Sequence, residues 1–466
     1  MKNKLLAVML AASMSATLFS AAVPVDVYAA PSGSSQGGTV NTTGLVDVSS
    51  NVATVDSSVV LASGVLTTAD SSVTISGWDF TSGDYATTAV SALDSDVTIK
   101  DSSITMNVDE EVTDSSTFGV GAIVGSGTLK IKDSDITVNG AGRYTIHAYD
   151  SATMVVNSSS IIAGGDLGAN GNTSSVREPG SNNGLYVCGV SRSNMSEGSS
   201  ATFYYNSLCV AEGWAALSTD SANNGFEFVG YNTEAVAQHG GYGIYADSSC
   251  DDYLYGVDFC AAEIGAIISN NGSITVDNTD AAKTASTGNG VAVLSNLDGE
   301  EVSSNEDSVI MAGRNGVMLH QPGSTNSIGV LSLSNTEIIT NNAINSDTGY
   351  SYTSSVNGKT YDVKEGRDYT EKYSAAVGAY IDFVKGAGIL VKSSNVDIDL
   401  DDVTFDSYSN VAIMTVLNSD TSNNYLSEGN TSNTIEVDIK NSTIDGDFDL
   451  YDYQRVTNVT VSGSTL

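Results

Sequence analysis

The sequence predicts an all-β fold made by coiling one short unit many times, and three observations carry that prediction. Brief stretches alternating apolar and polar residues return along the chain about once in every 25 residues. Each is followed by a turn of Ser, Asp, Asn or Gly and then by a second short strand-like run. The segments between them lack the apolar spacing of an amphipathic helix.

The early units are "SVTISG", "DVTIKD", "TLKIKD" and "TMVVNS", which place Ile75, Ile99, Ile131 and Val156 at equivalent points of the repeat. Their second strands follow in "KDSSITM", "KDSDITV" and "NSSSIIA". The pattern reappears late in "VDIDLDDVTFDS", "IEVDIKNSTIDG" and "VTVSGSTL", with Leu400, Ile439 and Val461 at matching points. A further family of strands opens on glycine: "GAIV" at 121, "GLYV" at 184, "GIYA" at 243, "GAII" at 265, "GVAV" at 290, "GVML" at 316 and "GILV" at 388.

A repeat this short cannot bury its own apolar side chains, so it must stack on its neighbours as a solenoid. The missing helical period argues against a βαβ sheet, and a sandwich of this length would need several domains with linkers that are not seen. With these repeats the chain resembles the right-handed parallel β-helix proteins of the pectate-lyase-like superfold, over nearly all of its length. The resemblance implies a single right-handed parallel β-helix, in keeping with the general handedness of parallel crossovers. Strands about 4.8 Å apart make roughly fifteen turns into a rod on the order of 70 Å long.

Residues 1–29 read as a secretory signal: Lys2 and Lys4, the apolar run "LLAVMLAASMSATLFSAAV", and small residues at "VYA". A retained anchor is the other reading of that run, and the "VYAA" junction favours cleavage after Ala29. Residues 30–60 form an N-terminal cap segment and 61–466 the β-helix, with loop excursions at 164–184 and 341–372, where function tends to reside. The chain stops mid-repeat at "VTNVTVSGSTL" without a polar cap, which predicts an unpaired strand edge and end-to-end self-association. With 18 Lys+Arg against 55 Asp+Glu and a net charge of −37, the surface repels phosphate backbones, so nucleic acid is excluded as a partner. An apolar share of 41% is too high for a disordered chain, and no later stretch is apolar enough to span a bilayer.

The candidate catalytic residues come from overlaying "YNSLCVAEGWAALS", "YNTEAVAQHGGYGIYA" and "VDFCAAEIGAIIS". In that register Cys209, Ala235 and Cys260 form one column, and Glu212, Gln238 (or Gly240) and Glu263 another. Two glutamates two turns apart have backbones about 9.6 Å apart, a separation that suits an inverting glycosidase, in which one acid protonates the leaving oxygen and the other activates water. Polar residues stacked at a solenoid turn are the other reading. Asp251, Asp252 and Asp258 supply further acids one turn away. Pectin-cleaving β-helix hydrolases carry Asn-Thr-Asp, paired aspartates, Gly-His-Gly and Arg-Ile-Lys in that order. Here His239-Gly240 comes first, then Asp251-Asp252, then "NTD" from Asn278 to Asp280, and Arg-Ile-Lys does not occur. The six arginines are scattered, which ranks a lyase below a hydrolase, while Arg314 falls near the Glu212 column.

For ligand binding, Phe203 with Tyr205, Phe226 with Phe228, and Tyr253 with Tyr255 recur once per repeat. Facing inward they form an aromatic core stack; facing outward, Tyr205, Tyr253 and Tyr255, with His239 and Arg314, make a ladder on which sugar rings could lie. No metal site is predicted: "GGYGIYAD" and "DGDFDLYD" lack the full calcium-loop patterns, and the histidines pair with no cysteines, leaving at most weak calcium binding at acidic turns. No nucleophile elbow occurs. Four cysteines in an exported chain raise disulfides, but Cys209 and Cys260 are predicted too far apart to bridge. The expected protein is a secreted or cell-surface bacterial β-helix acting in adhesion or glycan contact, its partner a polysaccharide or a host or cell-surface glycan. The other reading is a polysaccharide hydrolase using the Glu212, Glu263 and Asp251/Asp252 carboxylates.

Overall fold

The computed structural model describes residues 52–55, 66–69, 72–77, 79–81, 88–93, 96–108, 120–125, 127–140, 144–149, 152–163, 188–192, 200–204, 207–211, 215–220, 226–238, 242–247, 250–262, 264–269, 272–278, 307–320, 328–340, 350–363, 387–391, 395–415, 434–450 and 456–466. Residues 1–29, read above as a secretory signal, residues 164–184, Glu212, Glu263, His239 and Tyr205 lie outside them.

Among the described residues there is no helix. Thirty-two strands join one hydrogen-bonded network and two more form a separate hairpin. Pairing in the network is parallel and links strands that are not consecutive, so three ladders interleave. Ser72–Ser76 pairs with Asp96–Lys100 and that with Thr128–Lys132, in the first ladder. Asp79–Thr81, Ser103–Val108, Asp135–Gly140 and Ser160–Ala163 succeed one another in the second, and Leu66–Ala69, Thr88–Leu93, Val120–Gly125 and Tyr144–Tyr149 in the third. The arrangement is compatible with a β-solenoid.

Alternation builds the core. In the first ladder Ile75, Ile99, Ile131 and Val156 pair in one column. The column passes through Phe203, Gly230, Leu254, Val276 and Leu333 before reaching Leu400, Ile439 and Val461. The early and late repeats are therefore rungs of the same ladder. Each inward Ile or Leu contributes roughly 1.5–3 kcal/mol on burial.

The recurrent "KDS", "NSS" and "KNS" triplets are the corners between first and second ladders. Their middle residues have left-handed backbones: φ is 49° at Asp101, 46° at Asp133, 47° at Ser158 and 52° at Asn441. Asn and Asp tolerate this region, and Gly256 and Gly463 take it at no steric cost. The following serine is buried and links rungs. Ser102 N–H donates to Ser134 Oγ at 3.1 Å, Ser134 N–H to Ser159 Oγ at 3.1 Å, and Ser134 Oγ–H returns to Lys132 O at 2.6 Å. The glycine-opened strands stack for a different reason. A Cβ on Gly265 would stand 2.7 Å from Gly316 O, and one on Gly316 2.6 Å from Gly388 O.

Two sequence expectations need correction, and one segment gains detail. Cys209 pairs with Ala235 as predicted, but Ala235 pairs with Phe259, because this turn is one residue shorter than the overlay assumed. Cys260 therefore pairs with Val236, on the opposite face from Cys209; both thiols are buried and reduced. The aromatic pairs do not share one column. Phe203 and Phe228 point inward, with ring centroids 5.5 Å apart at 64°, whereas Tyr253 and Tyr255 fall on the outer face because Phe228 is in register with Asp252. Finally, the 341–372 excursion contains an antiparallel hairpin, Tyr350–Thr353 with Thr360–Val363.

Candidate functional site

The outer faces of the ladders differ. On the third ladder the outward column Tyr245, Ile267, Met318, Leu390 and Met414 is apolar, and all but half-buried Met318 are buried. On the second ladder the outward residues Val210, Val236 and Cys260 are buried beneath the hairpin, against Tyr361 and Val363. The first ladder is different. Its outward residues Thr98, Lys130, Val155, Tyr253, Thr275, Ser332, Asp399 and Asp438 reach solvent, whereas Asn157, Val229 and Tyr255 on the same side are buried. Over the central rungs the first ladder therefore presents the polar side chains that reach solvent.

Asp251 lies on this face, exposed, and accepts a hydrogen bond from the Ser273 hydroxyl at 2.7 Å. Asp252 is the next residue and so points the other way. It is fully buried in an apolar column, in register with Phe228 on one rung and Ile274 on the next. The two aspartates occupy opposite faces of one strand and cannot act on one substrate, a correction that follows from the period of two. Tyr253 is half-buried on the open face. Tyr255 is 6% exposed and stacked on Tyr231, with centroids 4.7 Å apart at 12°. Burial, then Tyr255, pushes the Tyr231 hydroxyl above its usual range. Tyr255 is thus a packed side chain, and the sugar-ladder expectation narrows to Tyr253 and the partly exposed Tyr231.

Arg314 is half-buried at the corner between the second and third ladders, two residues after Ala312, which pairs with Ala261. Asp251 belongs to a different ladder, the first. The register Ala211, Ala237, Ala261 leaves Glu212 one residue and Glu263 two residues beyond the same column, both outside the described residues.

Toward the C-terminal end the open face is acidic. Asp397 and Asp399 pair with Glu436 and Asp438, and burial, then Asp399, Glu436 and Asp438, raises the Asp397 carboxyl. Lys440 bridges to Asp399 at 3.3 Å, and the hydrogen bond and charge of Asp399 raise the lysine. Asn458 donates to Glu436 at 2.8 Å. Among the described residues no group of three or more His, Cys, Asp or Glu is placed to hold a metal ion.

In a second polar cluster the sequence points to Asp258 but not to its neighbour Glu234. Glu234 and Asp258 are neighbours on successive rungs of the second ladder. Glu234 is buried beneath the hairpin, its Oε1 accepting from Ser355 N–H at 2.7 Å and from Ser355 Oγ–H at 2.5 Å. Burial, then the charges of Glu234 and Asp258, drives the Tyr352 hydroxyl well above its ordinary value. Asp258 Oδ1 accepts from Val309 N–H at 2.9 Å. Overlaying "NTEAVA" on "VDFCAA" one residue earlier puts Glu234 opposite Asp258, and that was the available signal.

Compared with known proteins, the chain matches no family model, no curated protein and no solved structure.

Proposed function

We propose that the chain is a secreted, right-handed parallel β-helix of roughly fifteen turns that works at the cell surface or in the medium as a contact protein, holding glycans along the outer face of its first ladder. The observation that supports this reading is the contrast between the flanks: two are covered over their described central rungs, and one presents exposed hydroxyl, amide and carboxylate side chains at regular spacing. Rungs about 4.8 Å apart, with outward side chains about 6.6–6.8 Å apart along each strand, form a lattice that an extended polymer can follow. Asp251, Tyr253 and Thr275 sit at its middle, and the acids from Asp397 to Asp438 repel polyuronates, so the ligand is a neutral or amino-sugar polysaccharide.

The test is retention of the mature protein on a panel of insoluble neutral, amino-sugar and acidic polysaccharides, with release of reducing and unsaturated ends followed in the same samples. Retention on a neutral or amino-sugar polymer without product, weakened in Asp251→Ala/Tyr253→Ala, is the expected result. Catalytic release of ends would overturn the contact reading in favour of a hydrolase, and retention on uronates alone would overturn the assigned ligand class.

A further inference from the structure

We propose that the hairpin of residues 350–363 is a strap that opens as a unit, latched at Glu234, while the ladders beneath it stay intact. It forms a sheet of its own, and no strand of it pairs with any ladder in the network. Its internal bonds go with it when it lifts: Ser354 N–H to Lys359 O at 3.0 Å, Gly358 N–H to Ser354 O at 3.0 Å, and Asn357 Nδ2 to the Tyr361 hydroxyl at 2.8 Å.

The hairpin is held to the rungs by side-chain contact. Both Ser355 bonds converge on the one Glu234 oxygen, across 121 residues of chain. A second polar tie, from Gln238 Nε2 to Asp362 O, is long at 3.4 Å and exposed. Apolar packing of Tyr361, Val363, Tyr352 and Val356 on Leu208, Val210, Val236, Cys260, Ile162 and Met311 adds to the attachment among the described residues. The outward column is apolar from Ile162 through Val210, Val236, Cys260 and Met311 to Ile339, with polar Thr105 and Thr137 before it and Asp406 and Asp445 after it, and its middle residues Val210, Val236 and Cys260 are buried under the hairpin. Opening would uncover this strip without disturbing the inward column Cys209, Ala235 and Phe259, which belongs to the other face of the same strands. Regions joined by few contacts open locally at lower free energy than the whole fold.

Cys260 and Cys209 make the test internal. The first lies outward beneath the strap, the second inward in the core. Native protein is treated with N-ethylmaleimide, and labelling at each cysteine is followed by peptide mass spectrometry. Glu234→Ala removes both Ser355 bonds at once and is expected to raise the Cys260 rate about tenfold or more and leave Cys209 unchanged. Ser355→Ala, which alters only the hairpin tip, is expected to raise the Cys260 rate by a smaller factor in the same selective way. If both thiols accelerate together in Glu234→Ala, the Ser355→Ala result decides. Parallel labelling of the two thiols there, or no change in either variant, would overturn the strap.

Discussion

Gly316→Ala adds one methyl group at a crowded place in the glycine column. Its Cβ would run into Ile338 Cγ2 and stand 2.6 Å from Gly388 O. The isoleucine methyl can turn away at some cost in rotamer energy, but the carbonyl is backbone on the next rung and accepts from Val317 N–H at 2.9 Å. Reaching ordinary contact means a retreat of about 0.8 Å, and a rung that retreats so far stretches that hydrogen bond out of range. Overpacking costs about 1–3 kcal/mol and the lost bond about 1 kcal/mol, so the variant is expected to lose about 2–4 kcal/mol. Urea denaturation followed by far-ultraviolet circular dichroism reads the loss, with hydrogen exchange locating it at rungs 264–269, 315–320 and 387–391. Gly358→Ala is the control: no atom lies within 4 Å of its added Cβ, and only its φ of +68° opposes the change, at about 1–2 kcal/mol confined to the hairpin. A loss below about 1 kcal/mol in Gly316→Ala, or unchanged exchange at those rungs, would refute close rung stacking as the reason for the glycines.

Three further outcomes follow from the same packing. Ser134→Ala strands the buried N–H of Ser102 and is expected to cost about 1–3 kcal/mol, measured as a shift in denaturation midpoint, whereas exposed Ser351→Ala should cost nearly nothing. Phe228→Ala removes a fully buried ring and its edge contact with Phe203, and should cost about 3–5 kcal/mol by the same measurement. The raised carboxyl of Asp397 means that the folded state holds its proton to higher pH than the unfolded chain does. Stability of the last turns therefore falls as pH rises through the window between the two values and is recovered on acidification. Hydrogen exchange of residues 434–462, corrected for intrinsic rates, should slow on acidification from neutral pH into the carboxylate range in the native protein and lose part of that dependence in Asp397→Asn.

The ladders were legible because their signal is repeated and local. Ile75, Ile99, Ile131 and Val156 sit in strands with polar alternation and share one corner chemistry, so any two rungs predict the third. The middle rungs were harder. Turn lengths vary there, and a slip of one residue exchanges the faces of a strand: that slip put Cys260 in line with Cys209, and face assignment left the aromatics open, when Phe228 turns in and Tyr253 turns out. Asp252 is a carboxylate at an inward position, which alternation alone predicts to be apolar. The hairpin was hidden for another reason. Residues 350–363 dock on partners far earlier in the chain, and the bond from Ser355 to Glu234 leaves no periodic trace. Such contacts are settled by tertiary packing, so the buried glutamate of the second ladder read as one more acid in an acidic chain.

The central claim is that the open first ladder is the contact face. Hydroxyl-radical footprinting of the full chain, alone and on the polysaccharide that retains it best, tests this directly. The account predicts protection of peptides carrying Lys130, Tyr253, Thr275 and Asp399, with the hairpin and third-ladder peptides unchanged. Protection confined to the hairpin or to the connecting segments, with the first ladder oxidised as in the free protein, would contradict it.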